Sequence, residues 1–389
     1  MTSLRPVGHD HVRWEPHASR YGAVTGRQYG VYHPAIPARI AEQDLDLPAA
    51  LAAEAESAGR EITRFDAELG AEIAPFAAVL LRSESAASSQ IENLSASARA
   101  IAEAELDGVK SKRNADAIVA NTAAMTAAIE LSKSIDTTAI LEMHRALMRD
   151  EPRHTPGQFR TEPVWIGSST PVGAAFVGPR HELVPGAIDD LITYAQRVDV
   201  SPLTQIAVAH AQFETIHPFT DGNGRTGRAL VQAMLRNKML TRQVTVPVSA
   251  GLLADTDGYF AALTAFRAGD PAPIVAAFAR ASVAAIANGR ELVSDLRVIR
   301  ASWSELISAR TDSAIWKVAD LLIRRPVVNA ALLATELGID STNAHRYLNP
   351  LARAGILIET TSGPRNRVWR APDVLAALDA FAERAGRRN

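Results

Sequence analysis

The chain has 389 residues, more than one hydrophobic core usually organises, so two or three domains are expected at about 100–200 residues each. Hydrophobic residues at 47% and charged residues at 22% exclude a disordered or fibrous chain. The 41 Lys and Arg against 43 Asp and Glu leave a net charge of −2, with no global pull toward nucleic acid or anionic lipid, and 0 cysteines exclude disulfides, thiolate metal sites and Cys nucleophiles.

Residues 1–15 carry Arg5, His9, Asp10, His11, Arg13 and Glu15 where a secretion signal needs an apolar run. The most apolar stretch, 274–286, is interrupted by Arg280 and falls short of the roughly 18 residues of a membrane span. A cytoplasmic chain that makes no use of a membrane is therefore expected. Residues 1–45 lack periodicity and read as an irregular arm. From 48 to 108 apolar residues recur at helical spacing, Ile62, Phe65, Leu69, Ile73 and Phe76, then Ile91, Leu94, Ala98 and Ile101. Helices are predicted over 114–131 and 137–148, a Pro- and Gly-rich hairpin over 157–180 around the apolar runs 164–166 and 174–177, and helices again over 187–197, 203–217, 224–238, 258–268 and 273–292. Beyond about Val298 three short helices precede the extended runs 356–359 and 367–370, the outline of a winged helix.

The most informative stretch is His217-Pro218-Phe219-Thr220-Asp221-Gly222-Asn223-Gly224-Arg225-Thr226-Gly227-Arg228. A helix runs up to His217 and is ended by Pro218, which disfavours helical geometry in the residue before it. Asp221 to Gly224 then lead into the next helix, and backbone N–H groups at a helix start form an anion nest. Arg225 and Arg228 share a face in the first turns of that helix, where a cation opposes the dipole and an anion between them would relieve the conflict. Asp221 beside this nest is suited to Mg²⁺, which binds through one or two carboxylates plus substrate phosphates. Two competing patterns weigh less. Gly222, Gly224 and Gly227 match a dinucleotide fingerprint but follow a helix rather than a strand. His210, Glu214 and His217 lie on one helical face, yet a packed His210 is the commoner outcome than a metal site.

These residues carry a resemblance: 217–228 is similar to the signature of the Fic (filamentation induced by cAMP) family, and Gly157-Gln158-Phe159-Arg160 followed by Val164-Trp165-Ile166-Gly167 resembles the family's flap. The resemblance covers roughly residues 45–285. It implies an all-α fold, a Fic-type helical core with a short β-hairpin flap, to which a C-terminal winged helix-turn-helix domain is added. The expected divisions are 1–110 for an N-terminal arm and helical region, 111–290 for the catalytic core, and 291–389 for a linker helix and the winged helix. The implied activity is transfer of AMP from ATP to a Ser, Thr or Tyr hydroxyl of a target protein or of the chain itself. Carried over by position, His217 is the general base and Asp221 the Mg²⁺ ligand. Gly222, Asn223, Gly224 and Arg225 then serve the nucleotide phosphates, with Arg228 on the γ-phosphate. The flap would take the target as an added strand.

Ser88-Ser89-Gln90-Ile91-Glu92-Asn93 resembles the family's inhibitory motif, in which Glu92 pairs with Arg228 and excludes the γ-phosphate; the glutamate can also support removal of AMP. A capping box at the start of a helix is the competing reading of Ser89 and Glu92. In the C-terminal region, 332–339 and 341–348 have the outline of a helix-turn-helix with Gly338 in the turn and Ser341 as a cap. Thr342, Asn343, His345, Arg346 and Asn349, with Arg365, Arg367 and Arg370 on the wing, would let the segment 311–371 contact DNA; protein contact, including a homodimer, stays open beside it. Two alternative functions also stay open, a nucleotide-sensing DNA-binding regulator and a Fic transferase of another phosphate-containing group.

Overall fold

The structure, a computed structural model, describes residues 4–15, 29–69, 73–106, 111–360 and 367–386. The helices are α1 (Ala49–Leu69), α2 (Ile73–Ile91), α3 (Ala98–Ala104), α4 (Arg113–Glu130), α5 (Thr137–Leu147), α6 (Val184–Gln196), α7 (Pro202–Ile216), α8 (Asn223–Asn237), α9 (Val248–Leu253), α10 (Thr256–Arg267), α11 (Ala272–Leu306), α12 (Ala314–Arg324), α13 (Ala330–Leu337), α14 (Ala344–Arg353) and α15 (Pro372–Gly386). The strands are short: β1 (Gly8–His9), β2 (Val12–Trp14), β3 (Gly30–Tyr32), β4 (Ala35–Ile36), β5 (Trp165–Ile166), β6 (Phe176–Val177), β7 (Val327–Asn329), β8 (Ile358–Glu359) and β9 (Val368–Arg370). The fold is helical, as the periodicity predicts, and the expected hairpin is β5 paired antiparallel with β6.

The chain divides into two compact units, the first made of Met1–Arg60, Ala123–Leu240 and Thr256–Arg280, the second of Glu61–Thr122, Thr241–Asp255 and Ala281–Asn389. In the first unit α7 is the core: every residue from Leu203 to Ile216 is buried. A helix without a polar face must be surrounded, and α6 and α8 pack on it. Several of its polar side chains are tied to backbone carbonyls. Gln205 donates to the carbonyls of Tyr194 (2.6 Å) and Arg197 (3.0 Å), Gln212 to that of Ala38 (2.8 Å), and Thr215 to that of Ala211 (2.8 Å). The arm expected to be irregular carries two antiparallel ladders, β1 with β4 and β2 with β3. It is anchored by buried Leu4, Tyr32, Ala35 and Ile40 and by the bond from Val7 N to the Arg267 carbonyl (2.8 Å). Strands of two or three residues are too short to show a period, which is why the sequence hides them.

In the second unit α2 packs against α9, α12 and α15. The segment entering α9 has little helical signal of its own and is held by two buried carboxylates. Asp66 accepts the N–H groups of Gln243 and Val244 (2.8 Å each), and Glu84 accepts those of Ser249, backbone (2.8 Å) and hydroxyl (2.6 Å). Helix α11 runs on to Leu306, well past the expected end, and by length and composition alone it could cross a membrane; half of its most apolar window is buried within the protein. The C-terminal elements follow the expected triplet and hairpin, α12, α13, α14, then β8 and β9, with β7 added to give a sheet of order β7-β9-β8. Gly338 makes the turn at φ 65°. Ser341 is not the cap of the next helix: α14 starts at Ala344, and the turn before it is closed by the Asp340 carboxylate, which accepts from Thr342 N (2.8 Å) and Oγ1 (2.6 Å). The expected wing turn at 361–364 and Arg365 lie outside the described residues.

A Cβ on Gly251 of α9 would overlap the Ala281 carbonyl at the start of the second unit's stretch of α11. Gly251→Ala is therefore expected to destabilise the protein by about 1–3 kcal/mol. Urea unfolding of the variant beside the wild type reads this directly, and an unchanged midpoint would refute the close approach.

Candidate functional site

The site is a six-residue turn between two buried helices. His217 caps α7 in the left-handed region (φ 50°, ψ 62°), its N–H still bonded to the Phe213 carbonyl at 2.9 Å. Such a conformation is uncommon for a residue with a Cβ and has to be held in place. Gly222, at φ 76°, turns the chain into α8. Between them Phe219 is fully buried, and its ring stacks on that of His144 at 3.7 Å and 1°. The Asn223 amide closes the turn from the other side, its oxygen accepting from Phe219 N and its nitrogen donating to Phe219 O, both at 2.8 Å. With that amide committed to Phe219, what Asn223 can offer an anion is its backbone N–H.

The helix start is arranged as the sequence predicts. The first intrahelical bond of α8 runs from Thr226 N to Gly222 O (2.9 Å), so the N–H groups of Asn223, Gly224 and Arg225 have no intrahelical acceptor. The side chains of Arg225 and Arg228 are both buried beside this positive helix end, Arg228 to 2% exposure. Asp221 is half exposed; its Oδ1 accepts from Gly222 N (2.6 Å) and lies 3.7 Å from Arg225 Nη2, and its Oδ2 lies 3.8 Å from His154 Nε2. Among the described residues no group of three or more His, Asp or Glu could cage a metal. One accessible carboxylate beside a nest of N–H groups fits a Mg²⁺ ion that takes most of its ligands from phosphates and water.

His217 Nδ1 lies 3.4 Å from the Glu214 carbonyl. An acceptor at that nitrogen places the hydrogen there and leaves Nε2 with its lone pair, the form a general base needs. Close packing of α7 on α8 holds this geometry: a Cβ on Gly227 would come 2.5 Å from Glu214 Oε1 and 2.9 Å from Phe213, so the third glycine of the apparent dinucleotide pattern serves helix packing. His210, the other histidine of that face, is not a ligand. It is fully buried, its Nε2 is 2.7 Å from the Tyr259 hydroxyl, and burial pushes its pKa down to about 3.

Three further residues hold the turn in a way that the sequence does not assign. His144, in α5, donates from Nε2 to the Asp221 carbonyl (3.2 Å) and accepts at Nδ1 from Gly157 N (3.0 Å); burial lowers its pKa to about 4, so it is neutral at pH 7. His154 touches Thr220 Oγ1 through Nδ1 at 3.3 Å. Arg160, 2% exposed, lies along the turn with its N–H on the Pro218 carbonyl (3.0 Å) and its guanidinium on the His217 carbonyl (2.8 Å). The residues that open the flap are thus the wall of the catalytic turn. The flap itself is braced by Arg267, whose guanidinium sits 3.7 Å over the Phe176 ring, and by the arm, where Trp14 meets Trp165 edge to face at 5.7 Å. His144 carries no sequence signal beyond that of a helical histidine, whereas Gly157–Arg160 carry the resemblance to a flap.

Glu92 and Ser88 belong to the second unit. The motif closes α2 rather than opening a helix, which sets aside the capping box. Asn93 stands at φ 60°, Asn93 N bonds to Gln90 O (2.9 Å) and Leu94 N to Ser89 O (3.0 Å), a Schellman ending in which the left-handed position calls for Gly or Asn. Glu92 is exposed at this end, while Ser88 and Ser89 are fully buried. The seat of α2 is polar: Asn121 donates to Ser85 O (2.9 Å) and Ser89 Oγ (3.2 Å), and Thr122 Oγ1 lies 3.0 Å from Ser85 Oγ. On the wing, Arg367 pairs with Glu359 at 3.3 Å, the Arg370 Nε is buried, and His345 packs edge to face on Trp369 at 5.3 Å, so the expected basic cluster is partly neutralised.

Comparison with known proteins agrees with this geometry. The sequence profile of the Fic/DOC family matches residues 134–235, which include the turn, the flap and both helices. Residues 134–235 are thus similar to the Fic/DOC domain. The chain is 33% identical over 159 residues to protein adenylyltransferase fic-1 of Caenorhabditis elegans, covering 40% of this chain and 29% of that protein. It is 31% identical over 107 residues to protein adenylyltransferase Fic of Nematostella vectensis, covering 28% and 24%. The chain thus spans less than a third of the length of these curated relatives. The fold extends further: a Fic family protein from Desulfovibrio desulfuricans G20 superposes with a TM-score of 0.54 at 23% identity, over 84% of this chain and 97% of that one.

Burial of His210 in this helical core has a consequence for acid stability. Its folded pKa of about 3 lies below the 6.5 of an exposed histidine, so as pH falls from 6.5 toward 3 the unfolded chain takes up a proton that the folded protein refuses. Stability present above pH 6.5 is lost on acidification, at up to about 1.4 kcal/mol per pH unit. Urea midpoints at pH 7.5 and pH 5 should fall less in His210→Phe than in the wild type; equal losses would show that the residue is not held neutral.

Proposed function

We propose that this Fic protein is a protein adenylyltransferase that moves AMP from ATP to a Ser, Thr or Tyr hydroxyl of a target protein or of itself. The observation that carries this reading is the juxtaposition of His217, with Nδ1 against the Glu214 carbonyl, and a helix start bearing three N–H groups and two buried arginines. The names of its relatives from Caenorhabditis and Nematostella support the same activity.

The residues divide the work by position. His217 Nε2 takes the proton of the target hydroxyl; the freed oxygen bonds to the α-phosphorus, the bond to the bridging oxygen of the β-phosphate breaks, and pyrophosphate leaves. The N–H groups of Asn223, Gly224 and Arg225 hold the α- and β-phosphates, and Arg228 takes the γ-phosphate. These donors are in place before the reaction, and electrostatic stabilisation of that kind is where such sites gain most of their rate. Mg²⁺ at Asp221 would supply neutralisation of the phosphates' charge. The flap holds an extended target segment by main-chain bonds.

Regulation follows from the end of α2. Glu92, on a motif that resembles the inhibitory helix of the family, takes Arg228 from the γ-phosphate, and ATP then binds in a poor orientation. A second reading concerns the C-terminal domain, because Thr342, Asn343, Arg346 and Asn349 form an exposed polar face before and along α14, where a DNA-binding winged helix makes its base contacts. A steep fall in DNA affinity with salt would support it.

Intact-mass spectrometry after incubation with ATP and Mg²⁺, with competing nucleotides and a cell lysate in parallel, tests the proposal. Glu92→Gly should add AMP to the chain or to a target well above the wild-type level, and Glu92→Gly/His217→Ala should lower the rate about 10²–10⁴-fold. Absence of transfer from every nucleotide would refute the reading, and transfer of another group in preference would reassign the donor.

A further inference from the structure

The contacts of Arg160 are unusual for a buried cation. Its guanidinium donates to four backbone carbonyls, from Nε to His217 (2.8 Å), from Nη1 to Glu162 (3.0 Å), and from Nη2 to Pro179 (2.6 Å) and Ile216 (3.4 Å). Its own N–H completes the set at the Pro218 carbonyl (3.0 Å). Two of these acceptors, Ile216 and His217, are the last carbonyls of α7, which lack intrahelical donors and carry the negative end of the helix dipole. The other two, Glu162 and Pro179, are the two feet of the flap, just before β5 and just after β6. Gly178 leaves room for the clamp, since a Cβ there would lie 3.1 Å from Arg160 Nη2 and 3.6 Å from the His217 Cβ.

A structural arginine in a core normally answers a carboxylate; among the described residues no carboxylate ion-pairs with this one. Burial costs it stability, and it still stays charged at neutral pH, its pKa lowered to about 10. Only a planar fork of five N–H donors can serve the two feet of the flap and the end of α7 together, and lysine, with a single ammonium, cannot.

We propose that Arg160 is a positioning residue that ties both feet of the flap to the carbonyl of His217, so that a target segment lying on the flap and the base that deprotonates it are held at one separation. This rests on the transfer reading above. An enzyme that takes its target by main-chain bonds along a two-residue strand has little side-chain contact with which to place the hydroxyl, and a misplacement of about 1 Å can cost on the order of 10²-fold in rate. The clamp supplies that placement through the backbone.

The test uses the full chain as wild type, Arg160→Met and Arg160→Lys, with two readouts. Hydrogen exchange followed by mass spectrometry needs no activity. Removing the clamp should speed exchange in 162–180 and in 217–222 together while the interior of α7 stays protected, with Arg160→Lys between the wild type and Arg160→Met. Faster exchange of the flap alone, or of neither segment, would overturn the coupling. Should Arg160→Met lose protection throughout α6 and α7, Arg160→Lys is read by the same criterion. In the Glu92→Gly background, kcat for AMP transfer should fall at least tenfold, with the KM for ATP within about twofold, since the phosphate nest does not involve Arg160; a raised KM for ATP at unchanged kcat would also overturn it. If the Glu92→Gly protein transfers nothing, the transfer reading fails on its own account, and the exchange data still decide whether the flap and the turn are coupled.

Discussion

A proline after a helix leaves the residue before it few conformations, and here that residue is His217, placed at φ 50°. A non-glycine residue in the left-handed region costs about 1–3 kcal/mol, and it persists only where neighbours over-determine it. Three neighbours do so here. Asn223 closes the turn from within, His144 holds the Asp221 carbonyl from below, and Arg160 holds the His217 carbonyl from the flap side. Each contact contributes on the order of 1 kcal/mol, more where the donor is charged, so together they offset the strain with little to spare. The direction of α8, and with it the direction of three N–H groups and two arginines, follows from this turn.

Charge makes the helix start a site rather than a mere bend. Arg225 and Arg228 oppose the dipole of their own helix and are buried as well, two conditions that separately cost stability. Natural sequences keep such conflicts where a ligand resolves them. A polyphosphate brings enough negative charge to serve both arginines and the N–H groups, whereas a single carboxylate serves one arginine only.

Much of this was legible in the sequence, for a reason that can be stated residue by residue. From His217 to Arg228 nearly every position is constrained by backbone conformation, charge or close approach, and such constraints permit few residue types. The helices of the first unit were equally plain, since their apolar spacing follows their burial. What escaped falls into two kinds. Strands β1 to β4 and helix α9 are shorter than the window in which a period appears, and α9 in particular is held by the tertiary contacts of Asp66 and Glu84. The roles of His144 and Arg160 have no local pattern because they lie in meeting the carbonyls of Asp221 and His217, 77 and 57 positions away. Ser341 was misjudged for a related reason: Asp340 bonds to Thr342 and closes the turn first, so the helix begins later.

The same dependence on backbone groups explains why the chemistry of this protein can be read more easily than its target. Phosphates would be met by N–H groups at the start of α8, the catalytic turn is held by carbonyls, and the flap offers the main chain of β5 and β6 to an incoming strand. Main-chain recognition is blind to side-chain identity, so selection of one protein among many has to come from surfaces beyond the turn. The arm is placed to take part, because Trp14 packs on Trp165 and the neighbouring Tyr29 and Val31 are exposed. A site built in this way can keep its reaction unchanged while its partners change, since the residues that would set one are not the residues that would set the other.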